Sequence, residues 1–296
     1  MDHVTALAAL PDAKRQQLTE RRNTPGLVHL AGHLGLLCIC GSYIALQGPL
    51  WPVMMLPHGI ALVFLFTLTH ECTHQTPFRT RWLNETVGHV TGSLLLLPFL
   101  WFRYFHFAHH RFTNDPDRDP ELANGAHPTI WRDWLVYLSG WRYWTSALSA
   151  LWHQARGQEQ ADYLPVRQYR AVKREARWLL AIYALALASL TWTPLLLWIW
   201  IVPLLLGQPV LRAYLLAEHG LCPQVSNMLE NSRTTYTGRA VRWLAWNMPY
   251  HAEHHAHPAV PFHNLPALHE DLAASLKSTS PGYRAFTRTY AAQLSR

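Results

Sequence analysis

Two long stretches of this chain contain no Asp, Glu, Lys or Arg: Asn23–His70, 48 residues, and Trp178–Leu211, 34 residues. A bilayer span takes about 20 apolar residues in a helix, and the hydrocarbon interior accepts only backbone that satisfies its own N–H and C=O groups. Each stretch therefore has room for two helices and a turn. The first breaks at Gln47-Gly48-Pro49-Leu50-Trp51-Pro52, which predicts spans at about residues 29–47 and 53–71. The second breaks at Thr191-Trp192-Thr193-Pro194, with the returning helix running past Arg212 towards Glu218. The expectation is an all-α integral membrane helical bundle, with about four transmembrane helices in two hairpins, within one membrane-embedded unit over residues 1–296.

The remaining segments fit around these hairpins. Residues 1–28 read as a cytoplasmic N-terminal segment, 29–71 as the first hairpin, and 178–219 as the second. Thr86–Phe102 is apolar but only 17 residues long, so a buried or partly inserted helix is expected within 86–119. Ile130–Trp152 sets Trp131, Trp134, Leu138, Trp141 and Trp152 among a few charges, the pattern of a helix lying in the membrane interface, within a segment 130–177. Residues 220–296 form a cytoplasmic part, ending in a polar helical cap from Leu265. Neither outer turn carries Lys or Arg, whereas Lys14–Arg22, Arg79–Arg81, Arg103–Arg118, Arg132–Arg177 and the chain from Arg233 onward do. The positive-inside rule then places both termini and these loops in the cytoplasm, at the inner membrane if the source is bacterial.

Composition agrees. Only 15% of residues are charged, against about 25% in an ordinary soluble domain. A disordered chain, a coiled coil and a disulfide scaffold are excluded, and a soluble α/β enzyme is disfavoured. The net charge of +7 raises nucleic-acid binding, but the basic residues are spread around the apolar blocks, as cytoplasmic loops would be. Cys38, Cys40, Cys72 and Cys222 form no CxxC pair and read as thiols in a reducing compartment. Met1–Gln17 has no long apolar core, so no cleavable signal peptide is expected.

The chemistry lies in the histidines, of which there are 19. His70 and His74 stand at i, i+4; His106, His109 and His110 at i, i+3, i+4; His251, His254 and His255 repeat that second spacing. Residues three and four apart share a helix face. All three clusters fall at expected membrane–cytoplasm borders, and His219 ends the last span. Ionisable groups there are costly and call for a partner. A metal supplies one, since neutral imidazole is the commonest metal ligand. Nine imidazoles exceed one tetrahedral zinc and suit two metals with four or five nitrogens each. Imidazole alone fits Zn, Cu, Fe or Ni. His3, His29, His33, His58, His89, His127, His153, His257, His263 and His269 have no such grouping and read as structural or interfacial.

Three motifs carry a resemblance: His70-Glu71-Cys72-Thr73-His74, His106-Phe107-Ala108-His109-His110 and His251-Ala252-Glu253-His254-His255. Arg111–Asp115 leading to Asp119-Pro120-Glu121, then Asn231–Thr235, then Asn247-Met248-Pro249-Tyr250 add to it. With these pieces, from about Thr69 to His269, the chain resembles the membrane fatty acid desaturase–hydroxylase family. The resemblance implies a non-haem site with two iron ions, O2 as co-substrate, and attack on an unactivated C–H bond of a lipid acyl chain, most simply desaturation. By position, the implied ligands are His70, His74, His106, His109, His110, His219, His251, His254 and His255. Glu71, Asp115, Asp119, Glu218 and Glu253 are candidates to hold the outer nitrogens of those rings, and Asn231 to order the loop before the third box. No nucleotide-binding fingerprint, iron–sulfur cysteine set or fused cytochrome b5 domain is apparent. Electrons are therefore expected from a separate donor of ferredoxin, rubredoxin or cytochrome b5 type with its reductase. An apolar tunnel lined by the spans and by Trp101 or Phe102 is expected to fix the position of attack.

Other readings use parts of the same pattern. A hydroxylase or ketolase acting on an alkane, lipid or carotenoid shares the ligand set, because return of oxygen and loss of a second hydrogen branch from one early step. His70-Glu71-Cys72-Thr73-His74 is also a literal HExxH, the intramembrane zinc protease signature, with Glu71 as base; that reading leaves the other paired histidines unexplained. A non-enzymatic metal transporter or b-type cytochrome would place its histidines near mid-bilayer rather than at one face.

Overall fold

The computed structural model describes residues 1–123, 127–159 and 161–295. The chain is mostly helical. Three helical stretches are long and apolar enough to cross a membrane: Asp12–Ala45, Trp51–Thr73 and Leu197–His219. The first two form the expected hairpin. Its turn is sharp because Gln47 and Leu50 adopt left-handed backbone (φ 51° and 57°), and Pro52 opens the next helix, where its missing N–H costs nothing.

The second hairpin differs from expectation. Its turn falls at Leu190–Pro194, as the sequence suggests. Its first arm is the helix Tyr169–Ser189, in which Arg170, Lys173, Arg174, Glu175 and Arg177 occupy the first half. From Trp178 onward only about 18 Å of apolar helix remains, short of a hydrocarbon core of about 30 Å. The returning helix begins with a π-helical turn, Leu197–Ile201, and continues as Val202–His219.

That returning helix packs closely on Trp51–Val63. A Cβ on Gly59 would lie 2.0 Å from the Pro203 carbonyl oxygen, and one on Gly207 would lie 2.3 Å from the Gly59 carbonyl oxygen. Two glycines facing each other bring the backbones together, the usual way for helices to pack in lipid. The consequence for the site is that His70 and His219, at the ends of these two stretches, emerge side by side.

The apolar stretch Thr86–Phe102 is not one helix. The helix Arg81–Leu94 ends, Leu96 turns left-handed (φ 58°), and a new helix Phe99–Phe112 starts after Pro98. Proline removes a backbone donor and disfavours helix at the residue before it. The Glu175 carboxylate caps the new helix, accepting from the Phe99 and Leu100 N–H groups at 2.9 and 3.0 Å. Further on, Trp131–Leu138 and Trp141–Arg156 form two helices parted by Gly140 (φ 73°), with Trp131, Leu135, Trp141, Leu148 and Trp152 exposed. The C-terminal part carries the short helix His251–Ala256, then Leu265–Leu272 and Tyr283–Ala292. Thr234–Thr235 pairs in parallel with Thr279–Ser280, a two-residue strand pair.

Candidate metal centre

Four elements bring nine imidazoles together. His70 lies on the helix Leu65–Thr73 and His74 caps it; His106, His109 and His110 lie on Phe99–Phe112; His219 ends Val202–His219; His251, His254 and His255 lie on His251–Ala256. They form two groups: His70, His74, His106, His110 and His254, and His109, His219, His251 and His255. Within each group the candidate ligand atoms lie within 4.8 Å of one another. The grouping cuts across the sequence boxes. The i, i+4 pairs stay together, while His109 and His254, three residues along from the first of their triplets, turn to the other group.

The hydrogen bonds behind the rings fix which nitrogen faces inward. His219 Nδ1 lies 3.2 Å from the Asn231 carbonyl oxygen. A carbonyl only accepts, so Nδ1 carries the proton and Nε2 presents a lone pair. His109 Nδ1 donates to Asp119, 3.0 Å from each carboxylate oxygen. His255 Nδ1 stands 3.1 Å from the Thr113 hydroxyl, whose own hydrogen goes to the His109 carbonyl at 2.8 Å. His251 Nδ1 faces Glu218 at 3.5 Å, and His254 Nδ1 faces Glu71 at 3.4 Å.

Yet the inward nitrogens crowd each other. His109 and His219 approach Nε2 to Nε2 at 3.2 Å, His251 and His219 at 2.9 Å, His74 and His106 at 2.8 Å, and His110 and His254 at 3.2 Å. Lone pairs at such distances repel unless a cation sits between them. Imidazole bonds of about 2.1 Å, set 90° to 109° apart, put ligand nitrogens about 3.0–3.4 Å from one another. The spacing therefore fits nitrogens gathered around an ion. Nε2 of His70 and Nε2 of His255 are buried with no hydrogen-bond partner in the protein. Such orphans inside a folded chain call for an ion or equivalent partner.

The electrostatics agree. Burial pushes the His74 imidazolium down to about 3, and the Arg21 charge adds to the effect. Burial, then repulsion among the rings, holds His106, His110, His251, His254 and His255 well below the ordinary imidazole value. These rings are neutral, the form that binds metal. His109 goes the other way: burial pulls it down, but the carboxylates of Glu121 and Asp119 outweigh burial and raise it.

Of the groups expected to support the ligands, Asp119, Glu71 and Glu218 stand behind His109, His254 and His251, and Asn231 reaches His219 through its backbone carbonyl. The Asn231 side chain also clamps the loop, donating to the Thr113 and Val225 carbonyls at 3.2 and 2.8 Å. Two expectations need correction. Asp115 turns outward to Arg118 and the local backbone, because the turn after Thr113 points it away from the rings. Glu253 is fully buried but pairs with His269 and Thr234 on the far side of its helix. Thr113 meets His255, and the Glu121 carboxylate lies 3.8 Å from His109 Nδ1; the motif Asp119-Pro120-Glu121 contains Glu121 but does not assign it this contact. Thr113 is four residues from His109 on one helix, a signal that the i, i+4 rule carries. Arg233 donates to the Ala217 and Gly220 carbonyls at 2.7 and 2.6 Å, fixing the helix end that presents His219.

A cavity of about 900 Å³ opens onto His70, His106, His109, His219 and His251. Phe66, Trp101 and Phe102 line it, but so do Arg142, Arg212, Glu121 and Glu218, so the expected apolar tunnel has a polar wall. Glu71 does not reach the cavity; it faces the backs of His254 and His70 and accepts from Thr76 at 3.0 Å. The base that an HExxH protease needs is thus not presented. His33, buried in the first span, bonds to the Ala61 carbonyl at 2.8 Å and accepts from the Trp246 indole at 3.2 Å, an ordinary structural pairing.

A family model described as fatty acid desaturase matches residues 46–287. The dihydrorhizobitoxine desaturase of Bradyrhizobium elkanii is 27% identical over 298 residues, 90% of this chain and 80% of that protein. The sn-1 oleoyl-lipid 12-desaturase of a Picosynechococcus species is 35% identical over 94 residues, 32% of this chain and 25% of that protein. The sn-1 acyl-lipid omega-3 desaturase (ferredoxin) of a Nostoc species is 33% identical over 86 residues, 29% of this chain and 24% of that protein.

Proposed function

Because the chain belongs to the fatty acid desaturase family, we propose that it is a membrane-embedded, O2-dependent oxidoreductase with two irons, which introduces a double bond into a lipid-like acyl chain. His70, His74, His106, His110 and His254 would hold one iron, and His109, His219, His251 and His255 the other. Bound there, the pair supplies O2 activation and the oxidising power to remove hydrogen from an unactivated C–H bond. The observation that carries the reading is the set of inward lone pairs. Asp119, Asn231 and Thr113 commit the outer nitrogens of His109, His219 and His255, so the inner ones converge with nothing but a cation to relieve them.

The protein's own part is orientation and exclusion of water. Asp119, Glu71 and Glu218 hold rings in position and raise their basicity as ligands. Phe66, Trp101 and Phe102 line the cavity beside His70 and His106, keeping water from the reacting carbon and aligning an alkyl chain along the metal-facing rings. That the stretches Trp51–Thr73 and Leu197–His219 both end at the site supports a position at one face of the membrane, and the distribution of Lys and Arg favours the cytoplasmic one. A separate donor supplies electrons; the ferredoxin in the name of the Nostoc relative illustrates the type.

The test is metal analysis joined to lipid profiling. The purified protein is expected to hold close to two irons per chain. A host expressing it with a ferredoxin and its reductase should accumulate a product two hydrogens lighter than its substrate. A hydroxyl or keto product would contradict desaturation, and an absence of iron would contradict the site.

A further inference from the structure

The polar wall of the cavity contains a cation without a partner among the described residues. Arg142 pairs with Asp133 at 3.4 Å. Arg212, on the same wall, has no carboxylate oxygen within 4.0 Å and makes no hydrogen bond among the described residues; its Nε is sealed from solvent. Its guanidinium lies over the Tyr143 ring, 4.7 Å from the centroid, and Tyr143 is itself tied to the Leu95 carbonyl at 2.6 Å. Arg212 belongs to the stretch Leu197–His219, long and apolar enough to span a membrane. Charge in such a helix is costly, and an arginine cannot escape by losing its proton. It precedes His219 by seven residues, two helical turns, so the two share a face and stand about 10 Å apart along the axis.

We propose that Arg212 binds the carboxylate of a single-chain substrate whose alkyl part runs past Phe66 and Phe102 to the metal-facing histidines. This rests on the desaturase reading and names the class of molecule the site takes. Tyr143 covers one face of the guanidinium; its Nη groups, unbonded among the described residues, are the two parallel N–H donors a carboxylate can accept from. Glu121 and Glu218 line the same cavity. With Arg142 already paired to Asp133, one unpaired cation beside two carboxylates favours a monoanion over the dianion of a phosphate monoester. The bond attacked then lies on the order of 10 Å from the carboxylate.

The test uses the iron-loaded full chain in phosphatidylcholine nanodiscs at pH 7.5, with empty nanodiscs as the blank and equilibrium dialysis of dodecanoate, dodecyl phosphate and dodecanol. Dodecanoate is expected to bind saturably, one per chain, at least tenfold more tightly than either of the others. Arg212→Gln should bring dodecanoate within twofold of dodecanol at unchanged iron content. Wild-type protein that binds dodecanol or dodecyl phosphate as tightly as dodecanoate overturns the assignment, as does an Arg212→Gln variant that keeps the preference. Should Arg212→Gln not fold, Arg212→Lys decides: a weakened carboxylate preference supports the proposal, and an unchanged one overturns it. Failure of the desaturase reading would show elsewhere, as missing iron or an unaltered host lipid profile, since this assay reads binding alone.

Discussion

Replacing Asp119 by Asn tests the metal centre at a position that touches no metal. The Asp119 carboxylate accepts from three N–H donors: His109 Nδ1, shared between its two oxygens at 3.0 Å each, the Asn114 N–H at 2.8 Å and the Glu121 N–H at 3.0 Å. The two backbone donors approach different oxygens. Either orientation of an Asn amide therefore points its NH2 group at a backbone N–H, leaving one donor unsatisfied at about 1–3 kcal/mol. The charge-assisted bond to His109 is also weakened, an effect worth about 1.5–3 kcal/mol. Loss of such a supporting group lowers metal affinity by about 10–100-fold. The loss should fall on the group containing His109, His219, His251 and His255. Iron retention against increasing chelator is the assay. Wild-type protein should release its two irons over one range, whereas Asp119→Asn should release one of them at about 10–100-fold lower chelator and keep the other. Unchanged release, or an equal shift of both irons in a folded variant, would refute the division into two groups and the role given to Asp119.

Other substitutions probe the frame. Asn231→Ala removes the clamps to Thr113 and Val225 and should lower stability by about 1–3 kcal/mol, read as a drop in the thermal midpoint, with weaker iron retention at the His219 group. Gly59→Ala and Gly207→Ala force a methyl group into backbone at 2.0 and 2.3 Å and should each cost about 1–3 kcal/mol, whereas Gly35→Ala, with nothing within 4 Å, should not destabilise. Thr113→Val removes the acceptor for His255 and should lower iron affinity of its group about tenfold without unfolding the chain, measured by the same chelator titration.

Much of this architecture follows from local pattern. Spans show in sequence because lipid forbids charge and unsatisfied backbone, so uncharged runs and their Pro/Gly breaks mark helices and turns directly. The i, i+3, i+4 spacing likewise shows that histidines share helix faces. What spacing does not show is how faces meet. The division of each triplet between two groups depends on how the Phe99–Phe112 and His251–Ala256 helices meet each other and the helix ends that carry His70, His74 and His219, a tertiary matter. The break after Leu94 was foreshadowed by Pro98, but an apolar run conceals it. The Tyr169–Ser189 apolar half is short because its charges run as far as Arg177 and the helix ends at Ser189. Asp115 and Glu253 sit beside the right motifs, yet a turn and a helix face carry them away from the rings; Thr113, with no charge to draw notice, reaches one. Arg212 looked like the end of an apolar block until the cavity wall gave it a setting.

The central claim is that two ions are held by imidazole nitrogen alone, five rings on one and four on the other. Iron-edge X-ray absorption on the purified chain, with iron counted per protein, tests it most directly. The account predicts close to two irons per chain, each bonded to nitrogen at about 2.1 Å with imidazole scattering beyond. In His109→Ala and His254→Ala that count should fall. A single metal per chain, sulfur among its neighbours, or full iron occupancy in both variants would contradict it.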